Sequence, residues 1–166
     1  TLSSSSAASD VYKRQVIYFI TIKNSSTFAL MNNTRFATAI HIMTLLAKEP
    51  SEWLTSEWIA GSINVNPVIV RKELINLKKM GLVESRQGKE GGVRISRKPE
   101  QIAISDIYNS VKNSEVLGKK NQFPNPVCNV GKAINNNLEV LFNETNDLVN
   151  DFLRNKRLSD FVNQFE

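Results

Sequence analysis

Side chains able to do covalent or metal chemistry are scarce in this sequence. It holds one histidine, His41, and one cysteine, Cys128. A nucleophile needs a base within hydrogen-bond reach, and a structural metal takes about four donors. No convincing pairing or cluster of this kind surrounds either residue, so no catalytic residue, no metal ligand and no enzyme activity is expected. His41 reads instead as a surface or half-buried helix residue. A single thiol also rules out an intrachain disulfide framework and suits a reducing, cytoplasmic setting.

Positive charge is the chemistry present in quantity. The chain carries 21 Lys and Arg against 16 Asp and Glu, a formal net charge of +5, with 41% hydrophobic residues. That is an ordinary globular composition with a bias toward anionic partners. The bias is local. Residues 31–98 hold eleven Lys and Arg against six acids, whereas residues 99–166 hold seven against nine. At the centre of the basic stretch is VESRQGKEGGVRIS, Val83 to Ser96. Its ends have strand-like residues, and Gly88, Gly91 and Gly92 are expected to supply the positive φ values of a hairpin tip. GKEGG matches neither the dinucleotide-binding nor the P-loop spacing, and no strand-to-helix transition follows it.

Three helices must position this hairpin. In TRFATAIHIMTLLAKE the apolar residues Phe36, Ile40, Met43 and Ala47, with Ala39, Ile42 and Leu46 beside them, form a helical stripe that ends before Pro50. Thr55 is a candidate N-cap for SEWIAGSI, with Glu57 in the first turn and Trp58, Ile59 and Ile63 expected on the core. Asn66 and Pro67 open a third helix that stops at Gly81. Its buried face carries Val70, Leu74 and Leu77. The opposite face is expected to present Val68, Lys72, Asn76 and Lys79, flanked by Arg71 and Lys78. Three helices followed by a basic hairpin form the winged-helix arrangement, in which the third helix enters the major groove and the wing lies along the backbone. Arg86, Lys89 and Arg94 would then meet phosphates, with binding that weakens as salt rises.

The run from Trp58 to Tyr108 resembles the Rrf-two (Rrf2) family of bacterial winged-helix transcription regulators. The match rests on Leu77, Gly81, Leu82, Val83, Ser85, Gly88, Gly91, Gly92, Ile95, Pro99, Ile102 and Ile107. Departures are small: Val93 where an aromatic is common, and Ile95–Ser96 for the usual leucine–alanine. The resemblance implies a homodimer that binds palindromic double-stranded DNA as a repressor or activator. It places the DNA contacts on Thr55, Ser56, Asn66, Val68, Arg71 and Lys72, and on the wing residues Arg86, Gln87, Lys89 and Arg94. The implied fold is mainly α with a small β-hairpin wing, a winged helix-turn-helix unit followed by a long C-terminal dimerisation helix.

The second half fits that plan. AISDIYNSVK is a short linking helix, with Ser105 expected as its cap and Ile107 and Val111 facing inward; a loop with Gly118, Pro124 and Pro126 follows. From Val127 to Leu153 the residues Val130, Ile134, Leu138, Leu141, Thr145, Leu148 and Phe152 recur close to an a/d seam. Such a stripe serves either the chain's own core or a second helix. With the resemblance, a two-fold helix pairing through Val130, Ile134, Leu138, Leu141, Leu148 and Phe152 is expected. LSDFVNQF adds a last short apolar helix.

Many Rrf2 relatives hold a [2Fe–2S] cluster through three cysteines in the loop before this helix. Here Cys128 stands alone, so an iron–sulfur cofactor is disfavoured. The chain is more similar to the cysteine-poor, thiol-sensing branch that includes a hypochlorite-responsive repressor. A helix N-terminus and nearby Lys132 would lower the pKa of Cys128 and make it a redox sensor. A small structural residue is the plainer role. Control by a partner protein, or by a ligand in the groove between the wing unit and the dimer helix, is the alternative.

The opening TLSSSSAASDVYKRQ is serine-rich, lacks an amphipathic period, and resembles translated sequencing-adapter read-through. Residues 1–30 are therefore expected to be a non-native or disordered extension, with Met31 the natural start. The expected organisation is then a DNA-binding domain over 31–98, a linker helix and sensor loop over 99–126, and a dimerisation helix with a short terminal helix over 127–166. VIYFITI, Val16 to Ile22, is too short to cross a bilayer.

Overall fold

The computed structural model describes residues 34–88, 90–113 and 115–165. The expectations for residues 1–30, for Met31 and for Lys89 lie outside the described residues. Phe36–Glu166 packs as one compact unit.

Helix α1 (Arg35–Lys48) sets the base of the core. It buries Ala39, Ile42, Met43 and Leu46 completely, the stripe its periodicity dictates. Phe36 meets Tyr108 edge to face at 5.5 Å between ring centroids. His41 is half-buried, 3.3 Å from the Ser62 hydroxyl.

Helix α2 (Ser56–Ile63) starts where a cap is available: the Trp58 N–H donates to Thr55 Oγ1 at 3.2 Å. Ile59 is buried and Ile63 packs against the core, but Trp58 is 51% exposed, contrary to expectation. The inward face of this short helix is filled by Ile59 and Ala60, with Ile63 beside them. Asn64, in the left-handed region at φ 59°, reverses the chain.

Helix α3 (Pro67–Lys79) opens with the Val68 N–H donating to Asn66 Oδ1 at 2.9 Å, and Pro67 costs it no hydrogen bond. It buries Val70, Leu74 and Leu77, together with Glu73, which the apolar spacing does not reveal. The Leu82 N–H reaches back to the Leu77 carbonyl at 3.0 Å, closing the helix and launching the hairpin.

Strands β1 (Val83–Arg86) and β2 (Gly92–Ile95) pair antiparallel, with Val83 opposite Ile95 and Arg86 opposite Gly92. Val83, Val93 and Ile95 point into the core. Leu54 adds a one-residue third strand: its N–H and carbonyl bond Val93 at 3.0 and 2.8 Å. The hairpin glycines do two different jobs. Only Gly88, at φ 110°, needs the left-handed region. Gly91 and Gly92 are required for space instead. A Cβ on Gly91 would lie 2.5 Å from the Arg86 carbonyl oxygen, and one on Gly92 would lie 2.8 Å from the Leu54 carbonyl oxygen.

A 3₁₀ turn (Pro99–Gln101) leads into helix α4 (Ile104–Val111), which buries Ile104, Ile107 and Val111. Ser105 is buried inside this helix rather than capping it. The cap comes from Asp106, whose carboxylate accepts the Ala103 N–H at 3.4 Å. A carboxylate three residues on outcompetes a hydroxyl that the helix has turned inward. Helix α5 (Asn129–Arg154) runs 26 residues, about 39 Å at 1.5 Å per residue, and buries only Asn146. Helix α6 (Leu158–Val162) returns to the core, where Leu158 is fully buried. The Ile104 N–H bonds the Lys156 carbonyl at 2.9 Å, and the Leu158 N–H bonds the Ile102 carbonyl at 3.0 Å.

Adding a methyl group at Gly92 is expected to force the Leu54 chain away from β2. Gly92→Ala should lower unfolding free energy by about 1–3 kcal/mol, the usual range for overpacking. Gly61→Ala in α2 meets nothing within 4 Å and should be neutral or stabilising. Urea unfolding midpoints of the two variants check this; equal midpoints would contradict it.

Candidate nucleic-acid interface

The outward face of α3 carries Val68, Arg71, Lys72, Ile75 and Lys79, all exposed. Spacings of three and four keep them on one side of the helix. Ile75 replaces Asn76, which was expected on this face. Asn76 is half-buried and donates to Glu73 Oε2 at 3.2 Å. The buried Glu73 widens the inward stripe on the side of Asn76 and turns Ile75 outward. An apolar residue at that position gives no sequence signal for exposure, so Ile75 was missed.

Several expected site residues are already engaged. Thr55 and Asn66 use side-chain oxygens as caps, holding the N-termini of α2 and α3. Arg71 crosses from α3 to α2: its Nε donates to Ser56 Oγ at 3.1 Å and its guanidinium ion-pairs with Glu57. The backbone hydrogen bond at Glu57, then the hydrogen bonds from Arg71 and Ser56, hold the Glu57 carboxyl below the usual carboxylate range. The structure thus brings Ser56 and Arg71 together, with an acid as their third member. Lys72 projects beside them. Lys78 reaches Ser85 Oγ at 2.5 Å and ties α3 to β1.

The wing shows the same self-pairing. Arg86 and Arg94 stand over the Trp53 ring, at 5.0 and 4.6 Å from its centroid. Arg94 also pairs with Glu84, and Arg86 donates to the Glu90 carbonyl. Exposed stacks of this kind contribute roughly 0.5–1 kcal/mol each, enough to favour an orientation and weak enough to exchange for phosphate. Gln87 is exposed at the tip. Trp53 was not among the expected site residues, because its position depends on the Leu54–Val93 pairing and not on local spacing.

Away from this face, Cys128 is the N-cap residue of α5 and is exposed. The backbone N–H groups of Gly131 and then Val130, at the open start of the helix, favour the thiolate and hold the thiol below its ordinary range. The helix N-terminus thus acts as the sequence suggested, while Lys132, expected to help, is not among the groups that lower the thiol. Among the described residues no group of three or more His, Cys, Asp or Glu side chains could hold a metal. No helix among the described residues is long and apolar enough to cross a membrane. Along α5, Val130, Leu141, Leu148 and Phe152 are exposed, while Ile134 and Leu138 are half-buried.

Comparison with known proteins agrees with this geometry. Residues 32–164 match the family described as Rrf2, iron-dependent transcriptional regulator. The chain is 38% identical over 133 residues to YwnA of Bacillus subtilis, a candidate HTH-type transcriptional regulator by name, covering 80% of this chain and 98% of that protein. It is 28% identical over 112 residues to the HTH-type transcriptional regulator NsrR of Bacillus licheniformis, covering 64% and 78%. A crystal structure described as that of a candidate DNA-binding protein superposes with TM-score 0.62 at 34% identity, covering 76% of this chain and 97% of that one. CymR, the global cysteine regulator of B. subtilis, shares the fold with TM-score 0.58 at 22% identity, covering 79% and 95%. With a helix-turn-helix, a wing and a family match that spans nearly all of the described residues, the chain belongs to the Rrf2 family of DNA-binding transcriptional regulators, which are not enzymes.

Proposed function

We propose that two copies of the chain pair through α5 and bind a palindromic operator in the cytoplasm as a repressor. Each copy lays the Val68–Arg71–Lys72 face of α3 in a major groove, with Arg86, Gln87, Lys89 and Arg94 on the flanking backbone. The observation that carries the reading is the exposed basic face of α3, held at its N-terminus by the Asn66 cap. Pairing is supported by the apolar α5 edge, since Leu148 is 72% and Phe152 65% exposed in the single chain. A two-fold axis makes such a patch its own complement and fixes the spacing of the two recognition helices.

A redox signal through Cys128 is supported by its exposure and its lowered pKa. With one cysteine in the chain, the residues do not fit a thiolate-held iron–sulfur cluster within one copy, and no cofactor is assigned. A second reading, control by a small apolar ligand, is favoured by a groove of about 710 Å³ lined by Phe36, Ile40, Leu153 and Phe161, between α1 and the C-terminal helices.

Arg71→Ala and Lys72→Ala should each weaken binding to the chain's own promoter fragment about tenfold or more, while sedimentation still shows the wild-type mass. Wild-type affinity in both variants would remove α3 from the groove. Leu148→Asp should instead yield monomers by sedimentation and lose operator binding; an unchanged dimer would move the pairing surface elsewhere. In the folded chain Cys128 should be alkylated by iodoacetamide down to a lower pH than in urea, because the lowered pKa keeps thiolate present as pH falls. Matching pH profiles would remove the activated-thiol reading. Hypochlorite should release DNA from the wild type but not from Cys128→Ser, and equal release from both would remove the sensor.

A further inference from the structure

The recognition face carries a feature that phosphate binding does not use. Val68 is 63% exposed and Ile75 57% exposed, on the same side of α3 as Arg71 and Lys72. The two lie seven positions apart, so they face the same way within about 20° and stand about 10.5 Å apart along the axis. That rise matches about three base pairs at 3.4 Å each. Branched apolar side chains are poor partners for phosphates and for most base edges. The major groove offers them one apolar feature, the C5-methyl group of thymine.

We propose that Val68 and Ile75 read thymine methyl groups, so that each half-site carries two thymines about three base pairs apart, on either side of the pairs met by Arg71 and Lys72. This inference rests on the placement of α3 in the major groove. It makes Val68 and Ile75 specificity-determining residues, because a C·G or G·C pair at either position offers no methyl group. Val68 lies in the first turn, where recognition helices approach base edges most closely, and Ile75 lies deeper along the same face.

The test uses the full chain and a duplex selected by it from a random pool. Each thymine of that duplex is then replaced in turn by deoxyuridine, which lacks only the methyl group. Loss of one buried methyl corresponds to about fourfold in affinity per half-site, so symmetric replacement at the contacted positions should weaken wild-type binding about tenfold or more. Val68→Ala and Ile75→Ala keep good helix formers on exposed positions, and far-ultraviolet circular dichroism verifies their folding. Each variant should bind the thymine duplex more weakly and lose the penalty at one position only, Val68→Ala at one thymine and Ile75→Ala at the other. Equal wild-type affinity for every uracil-substituted duplex would overturn this inference alone. So would variants that keep the full wild-type penalty at both positions. Failure to select any duplex would overturn the groove placement of α3, and this inference with it.

Discussion

The pairing of Leu54 with Val93 is the constraint on which the functional face depends. Two backbone hydrogen bonds across the bare Cα of Gly92 clamp the hairpin to the segment before α2. A two-stranded hairpin alone is marginal in water. With Leu54 as a third partner, and Val83, Val93 and Ile95 buried, the wing becomes part of the core. The same clamp places Trp53 beneath Arg86 and Arg94. The wing guanidinium groups are therefore oriented by a packing decision made on the other side of the sheet.

Electrostatics on this face is a matter of exchange. Arg71 is paired with Glu57, and Arg94 with Glu84. Both pairs are exposed, where ion pairs contribute little to stability. What they do is hold long side chains in place while no nucleic acid is bound. A phosphate offers a bidentate partner of higher charge density, and counterions leave as it binds.

Local signals in the sequence went furthest. The caps at Thr55 and Asn66, Pro67 at the start of α3 and the stripe of α1 depend on neighbours a few residues away, and these elements appear where periodicity puts them. The face of α3 was readable to within one residue, with Ile75 standing where Asn76 was expected. Features set by distant chain were not readable. Buried Glu73, the inward Ser105, exposed Trp58 and the Trp53 stack all depend on which surface a second element covers. The glycines of the tip show the same division. Their presence marked a turn, but only the Leu54 segment explains why Gly92 cannot carry a side chain.

The two hydrogen bonds that join residues 102–104 to residues 156–158 make the tail of the chain a structural closure. Leu158 sits in the same core as Leu77, Val93 and Ile107. The helix-turn-helix and the wing are complete by residue 98, yet Ile102 and Ile107 share their core with Leu158, sixty residues beyond that point. Fragments truncated before Lys156 would expose that apolar seam and become targets for proteases.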